Sequence, residues 1–287
     1  MANETTTSTL DDLISPLVAE ALFVASERSI MRGLVRNFQM PNNSGKVLQV
    51  PIYPTVSAAA VAEATDLTNT AVSTSKKDLT VSEVGIMATV TDLSRNVSES
   101  DVIRDLGKLF GEAIAKKIDL DLTALFGGFS TTVGSASTAM SASLIFQAVA
   151  KLRSAGVPGD DLACVIHPQV AFDLKSGLTN TFANPNPGVG NEALRTGFVG
   201  QIAGVDVYET SNIADSSGNE PGTTGDYKGA VFHRDALGLA MMQDLKIEQQ
   251  RDASIRGTEL VATAVYGVGE LIDGHGCEIE ADSSIQP

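Results

Sequence analysis

KVLQVPIYP (Lys46–Pro54), LTVSEVGIMATVTDL (Leu79–Leu93) and SESDVIRDLGKLFGEAIAKKIDLDLTALFGG (Ser98–Gly128) follow one another within one third of the chain. In the first, Leu48, Val50 and Ile52 alternate onto one face of a strand, and Pro51 argues for an edge position. In the second, Val84, Ile86, Ala88 and Val90 do the same. Between them runs an Ala-, Thr- and Ser-rich middle without a stable period, with the basic pair Lys76-Lys77 near its return. The spacing predicts a long hairpin-like loop over residues 46–93 whose extended arms reach ~40 Å at ~3.3 Å per residue. A compact globule of this length has a radius of gyration of only ~19 Å. Nothing in the loop is oily enough to bury itself on its own subunit, so its cover must come from a neighbour.

The third stretch predicts one amphipathic helix from Glu99 to Phe126, ~42 Å long. Ser98, Glu99, Ser100 and Asp101 supply caps and first-turn acids suited to the positive end of the dipole. Val102, Leu106, Leu109 and Ala113 form one apolar stripe; Ile103, Phe110, Ile114, Ile118, Leu122 and Leu125 widen it. Gly127-Gly128 ends it. Leu106, Leu109 and Phe110 are expected to anchor this helix in the core.

Upstream, helical spacing at Leu13, Leu17, Ala21 and Val24, repeated at Met31, Leu34, Val35 and Phe38, predicts an arm with one or two helices. The turn cluster Pro41–Gly45 closes it. Downstream, a Ser/Thr/Ala linker (130–139) precedes α/β alternation: a helix over 143–155, a strand over 162–166 and a helix over 168–175. Then come an Asn/Pro/Gly-rich loop over 176–197, strands around Gly204 and a polar loop over 215–228. Strands are expected at 229–234, 245–250, 259–272 and 277–280, with Gly267 and Gly269 as bends.

At 287 residues the chain has room for one large domain or two small ones, and 43% hydrophobic residues support a real core. With no Trp and 5% aromatics, large interfaces must rely on area and backbone pairing. A net charge of −15 has the wrong sign for a protein that grips nucleic acid by neutralising phosphate. It suits a container that holds DNA without adhering to it. Cys164 and Cys277 have no CxxC partner and read as buried free thiols of a protein made in the cytosol. No apolar run approaches the ~20 residues of a membrane span, and the polar, acidic N-terminus is unlike a signal peptide.

The chemical motifs are weak. His167, His233 and His275 are too scattered in sequence for a close-spaced metal pair and read as structural histidines. Asp119-x-Asp121 could hold a metal, but on a helix the two point apart, which favours solvated faces. Gly267-Val268-Gly269 begins like a dinucleotide fingerprint, yet Ile272 stands where its third glycine belongs. Residues 215–220 offer oxygen ligands without EF-hand spacing. No catalytic, cofactor or metal site is assigned.

Arm, long loop, helix, α/β block and closing strands, in this order, resemble the major capsid proteins of tailed phages, the Hong Kong ninety-seven-like α+β fold. EATDLT (63–68) and VTDLSRN (90–96) fall where that family places its extension loop, and KKIDLDLTALFGG (116–128) where its spine helix ends. VIHPQVAFDLKS (165–176), GAVFHRDALGLA (229–240) and GCEIEAD (276–282) are similar to segments of its axial domain and closing strands.

The resemblance implies an N-terminal arm (1–45), an extension loop (46–93), a peripheral domain with spine helix (94–137), an axial domain (138–240) and closing peripheral strands (241–287). It implies pentamers and hexamers of many copies, closed into an icosahedral shell around double-stranded DNA, made in the host cytoplasm and ending in the virion. A separate scaffolding protein and a portal are the implied partners, with a decoration protein as a further candidate. Val50, Ile52, Lys76, Lys77, Val84, Ile86 and Val90 are the expected inter-subunit contacts of the loop. The family's name-giving phage welds subunits through a Lys–Asn isopeptide bond; no Asn follows Asn219, so this bond is not expected. The alternatives are an encapsulin-like compartment shell and a soluble α/β enzyme.

Overall fold

The computed structural model describes residues 4–5, 29–54, 56–58, 60–63, 66, 69, 71–97, 102–182, 201–213 and 226–285. The helix expected over 13–24, the cap residues 98–101 and most of the two polar loops lie outside these.

The long helix is α3, after the short helices α1 (Met31–Leu34) and α2 (Asp92–Val97). It runs over Val102–Thr123 and tightens into a 3-10 turn, Ala124–Gly128. Leu106, Phe110, Ile114, Ile118, Leu122 and Phe126 are all buried, an unbroken i, i+4 ladder. Leu109, expected beside them, stands 55% exposed. It lies ~100° around the helix from Phe110, on the side away from the sheet, and Ala113 is exposed with it. One stripe suffices because α3 packs against a single sheet, the arm covering part of its flank.

That sheet has five strands in the order β1 (Glu4–Thr5), β5 (Ser82–Thr91), β12 (Gly257–Glu270), β11 (Leu237–Asp252), β2 (Arg36–Gln39). β11 and β12 form a long antiparallel hairpin, and β5 adds antiparallel to β12 from Thr91↔Gly257 to Ser82↔Tyr266. The stretch expected as the return arm of the loop is therefore mostly a strand of the body. Phe38, expected in a helix, lies in β2, paired parallel with β11.

A second sheet has six strands: β6 (Thr132–Ala139), β13 (Gly276–Asp282), β10 (Asp226–His233), β7 (Leu162–Ile166), β9 (Val205–Glu209) and β8 (Gln201–Ile202). β7 is buried along its whole length, as its unbroken apolar run requires. Helices α4 (Ala142–Ser154) and α5 (Pro168–Phe182) pack against it; α5 runs seven residues past its expected end. β6 replaces the expected linker, pairing in parallel with β13. The six-stranded sheet thus takes in residues from both regions that the sequence reading gave to the peripheral domain. Phe126, at the end of α3, meets Phe232 of β10 at 5.6 Å between centroids, and both sheets share one apolar core.

Cys164 and Cys277 flank Val231 in one row of three adjacent strands. Two strand spacings of ~4.8 Å separate them, too far for a disulfide. Both thiols are free and buried, and burial pushes them up to about 12 and about 11.

Candidate assembly interface

β3 (Val47–Ile52) and β4 (Ser75–Thr80) pair antiparallel, from Val47↔Thr80 to Ile52↔Ser75, as a two-stranded ribbon apart from both sheets. Pro51 is tolerated because a two-stranded ribbon has only edge strands. The ribbon has its own small core at its root, where Val50, Leu79 and Val81 pack with Met40, Ala240 and Leu271. Val81 N–H donates to the Lys46 carbonyl at 2.9 Å, closing the base.

Beyond the paired arms the picture reverses. Every described residue from Tyr53 to Thr74 is exposed. Of the eleven large exposed hydrophobic side chains among the described residues, four are here: Tyr53, Val56, Val61 and Val72. Tyr53 is 73% exposed. Exposed apolar side chains that take part in neither described core make this segment a candidate interaction surface.

The loop residues singled out from the sequence divide accordingly. Val50 is buried in the root core, and Ile52 is half-buried at the end of the paired arms. Val90 is buried in the main core, with Val84 and Ile86 packed against it. Val90 is thus covered within its own subunit, while Val84 and Ile86 stay partly exposed on a strand of the body. Lys76 and Lys77 lie within β4. Lys77 reaches Glu270 of β12 at 3.3 Å, and Lys76 stands 3.8 Å from Asp78, so both have partners inside the chain.

Asp119 corrects the expectation of a solvated carboxylate: it is fully buried. Its two oxygens accept from Ser29 Oγ at 2.7 Å and from the backbone N–H groups of Ile30 and Met31 at 3.2 and 3.3 Å. An acid of α3 thereby receives the first N–H groups of α1 and fastens the arm to the long helix. Burial raises the Asp119 carboxyl pKa, against the lowering pull of these hydrogen bonds. The signal was present in the sequence, since Asp119 follows Ala115 at i+4 on the apolar side; only the acceptor's distant partners were invisible. Asp121 does point elsewhere, accepting from Lys117 at 2.6 Å and Tyr266 at 2.8 Å.

Of the three histidines, folding brings His233 and His275 together, edge to face at 5.6 Å. Among the described residues no group of three or more His, Cys, Asp or Glu side chains is arranged to hold a metal. No described helix is long and apolar enough to cross a membrane.

The chain thus combines a long helix, two sheets over one core and a separate two-stranded ribbon with an apolar, exposed tip. The chain superposes on the capsid of cyanophage P-SCSP1u with a TM-score of 0.71 at 20% identity, covering 89% of each chain. It matches Mycobacterium phage Che8 with a TM-score of 0.70 at 20% identity over 88% of this chain and 90% of that one. A virus-like particle from Pyrococcus furiosus gives 0.61 at 11% identity over 91% and 96%. The fold is thus the Hong Kong ninety-seven-like α+β fold. No curated protein matches in sequence. Residues 74–274 match the family described as phage capsid protein, and the chain belongs to that family. It is therefore a structural protein of the virion, built into the capsid by self-association.

Proposed function

We propose that copies of this chain close through pentamers and hexamers into the icosahedral shell of a tailed phage, around double-stranded DNA. The observation that carries this reading is the ribbon: rooted in its own small core yet bare and apolar beyond Ile52, it finds its cover on an adjacent subunit. The five-stranded sheet with α3 serves as the peripheral domain. The six-stranded sheet with α4 and α5 serves as the axial domain, around five- and six-fold axes. The net charge of −15 keeps packed DNA off the wall. A scaffolding protein and a portal take part in assembly in the host cytoplasm, and a decoration protein is a further candidate partner. The chain acts by assembly and not by catalysis.

Electron microscopy of the protein, produced alone and with the scaffolding protein, tests this. Closed particles are expected; monodisperse monomers under both conditions would overturn it. A second reading, a compartment shell with protein cargo, draws on the likeness to the Pyrococcus furiosus virus-like particle. It requires purified particles that carry protein in place of DNA.

A further inference from the structure

Where the ribbon crosses the body, the floor beneath it is almost without side chains. β11 and β12 pair Gly238 with Gly269 and Ala240 with Gly267, four small residues on one face of adjacent strands. β4 lies across this floor. A methyl group on Gly267 would overlap the carbonyl oxygen of Thr80, and one on Gly269 would stand 2.5 Å from Leu79 Cδ2. Neither glycine has a positive φ, so conformational freedom does not explain them. Close approach does. The two residues read from the sequence as strand bends are the seat of the loop. Leu79, 1% exposed, fills that seat beside Leu271.

We propose that Gly267 and Gly269 are positioning residues for assembly: the bare floor they form sets the direction in which the ribbon leaves the subunit. The Val81–Lys46 hydrogen bond closes the base of the ribbon, and the Lys77–Glu270 ion pair ties β4 to β12 beside the floor. With these contacts close to the root, the seat governs the angle. The two supports bear on adjacent residues of β4, Thr80 and Leu79, so raising one of them by ~1 Å tilts an arm of six residues, ~20 Å long, by several ångströms at its far end. The unpaired tip lies beyond that and moves further. Such a displacement leaves the subunit's own core intact and misses the surface waiting on a neighbour.

The two glycines differ in what opposes them. At Gly267 the obstacle is backbone, which cannot turn aside. At Gly269 it is the end of a leucine side chain, which can be shortened. The test uses the full-length protein with spin labels at Tyr53→Cys and Phe146→Cys, both exposed sites; the buried native thiols escape labelling. Pulsed dipolar spectroscopy on the unassembled subunit should give one narrow distance distribution. Gly267→Ala should shift its mean by ~3 Å or more, or broaden it severalfold. Gly269→Ala should shift it less, and Leu79→Ala added to Gly269→Ala should restore it. Distributions unchanged in both single variants would overturn the proposal. If Gly267→Ala does not fold, the Gly269→Ala pair decides: rescue supports the proposal, and no effect overturns it.

A second readout rests on the assembly reading above. In unlabelled protein, Gly267→Ala should lower the yield of particles of wild-type diameter at least tenfold, with the subunit's circular dichroism retained. Failure of the wild type to form particles would count against the shell reading alone, since the distance measurement needs no shell. A wild-type yield from Gly267→Ala despite a shifted ribbon would overturn the link to assembly.

Discussion

The ribbon and the six-stranded sheet solve the problem of apolar surface in opposite ways. In the sheet, β7 is buried along its full length, and Tyr227 and Phe232 of β10 and Cys277 of β13 are buried too. The buried side chains there have their partners inside the chain. In the ribbon, burial stops at the root cluster, and Tyr53, Val56, Val61 and Val72 are left in solvent. Side chains of similar chemistry thus do two jobs. Those in the sheet hold the subunit together, and those on the tip are the ones that the proposed assembly would cover with a second copy. Stability of the subunit and formation of the shell should then be separable by mutation.

The sharpest way to break this contrast is to replace residues 55–73 with a short glycine-containing turn. The tip contributes nothing described to either core, so the melting temperature of the subunit should move by less than about 2 °C. Particle formation, followed by sedimentation, should disappear. A variant that melts many degrees lower would show the tip to be folded onto its own body.

Within the body the same logic predicts a large effect on stability at one position of α3 and almost none three residues away. Leu106→Ala, at a side chain only 8% exposed, should cost ~2–5 kcal/mol in denaturant unfolding of the subunit. Leu109→Ala should fall within about 0.5 kcal/mol of wild type. Equal losses at both sites would mean that α3 is rotated about its axis.

That pair also shows what periodicity could and could not supply. The buried run Phe110, Ile114, Ile118 and Leu122 was legible, and so were α4 and the buried strand β7, because each pattern is local; the run's last member is Phe126, where Leu125 was expected. Leu109 was misplaced because a sequence does not state how many neighbours a helix has. Val84, Ile86 and Val90 were read onto one face, where they do lie, but were paired with the wrong partner: alternation specifies a face and is silent about which strand lies alongside. β6 escaped notice because its Ser-, Thr- and Ala-rich sequence has no apolar alternation and its pairing with β13 spans about half the chain. In the candidate interface, the exposed Tyr53, Val56, Val61 and Val72 were not singled out, because they are scattered through an Ala-, Thr- and Ser-rich stretch without a period. The glycine seat and the Asp119 fastening could not be anticipated, since each joins residues far apart along the chain.

The last effect expected is confined to acid and to the body. His167 sits at the start of α5, stacked on Tyr227 with ring centroids 3.7 Å apart, and its Nδ1 accepts from the Gln169 N–H at 3.3 Å. Burial lowers its pKa from 6.5 to about 4. The unfolded chain therefore takes up a proton between those values while the folded chain does not. Stability due to this residue is complete above about pH 6.5 and is lost as the pH falls toward about 4, to a limit of about 3 kcal/mol. His167→Asn keeps an acceptor for Gln169 and removes the titration. Compared by urea unfolding of the subunit, the variant should gain on the wild type steadily from pH 7 to pH 4. Parallel curves would mean that His167 is already charged or exposed in the fold. The ribbon tip has no part in this difference, because His167 and its partners Tyr227 and Gln169 belong to the six-stranded sheet and its helices.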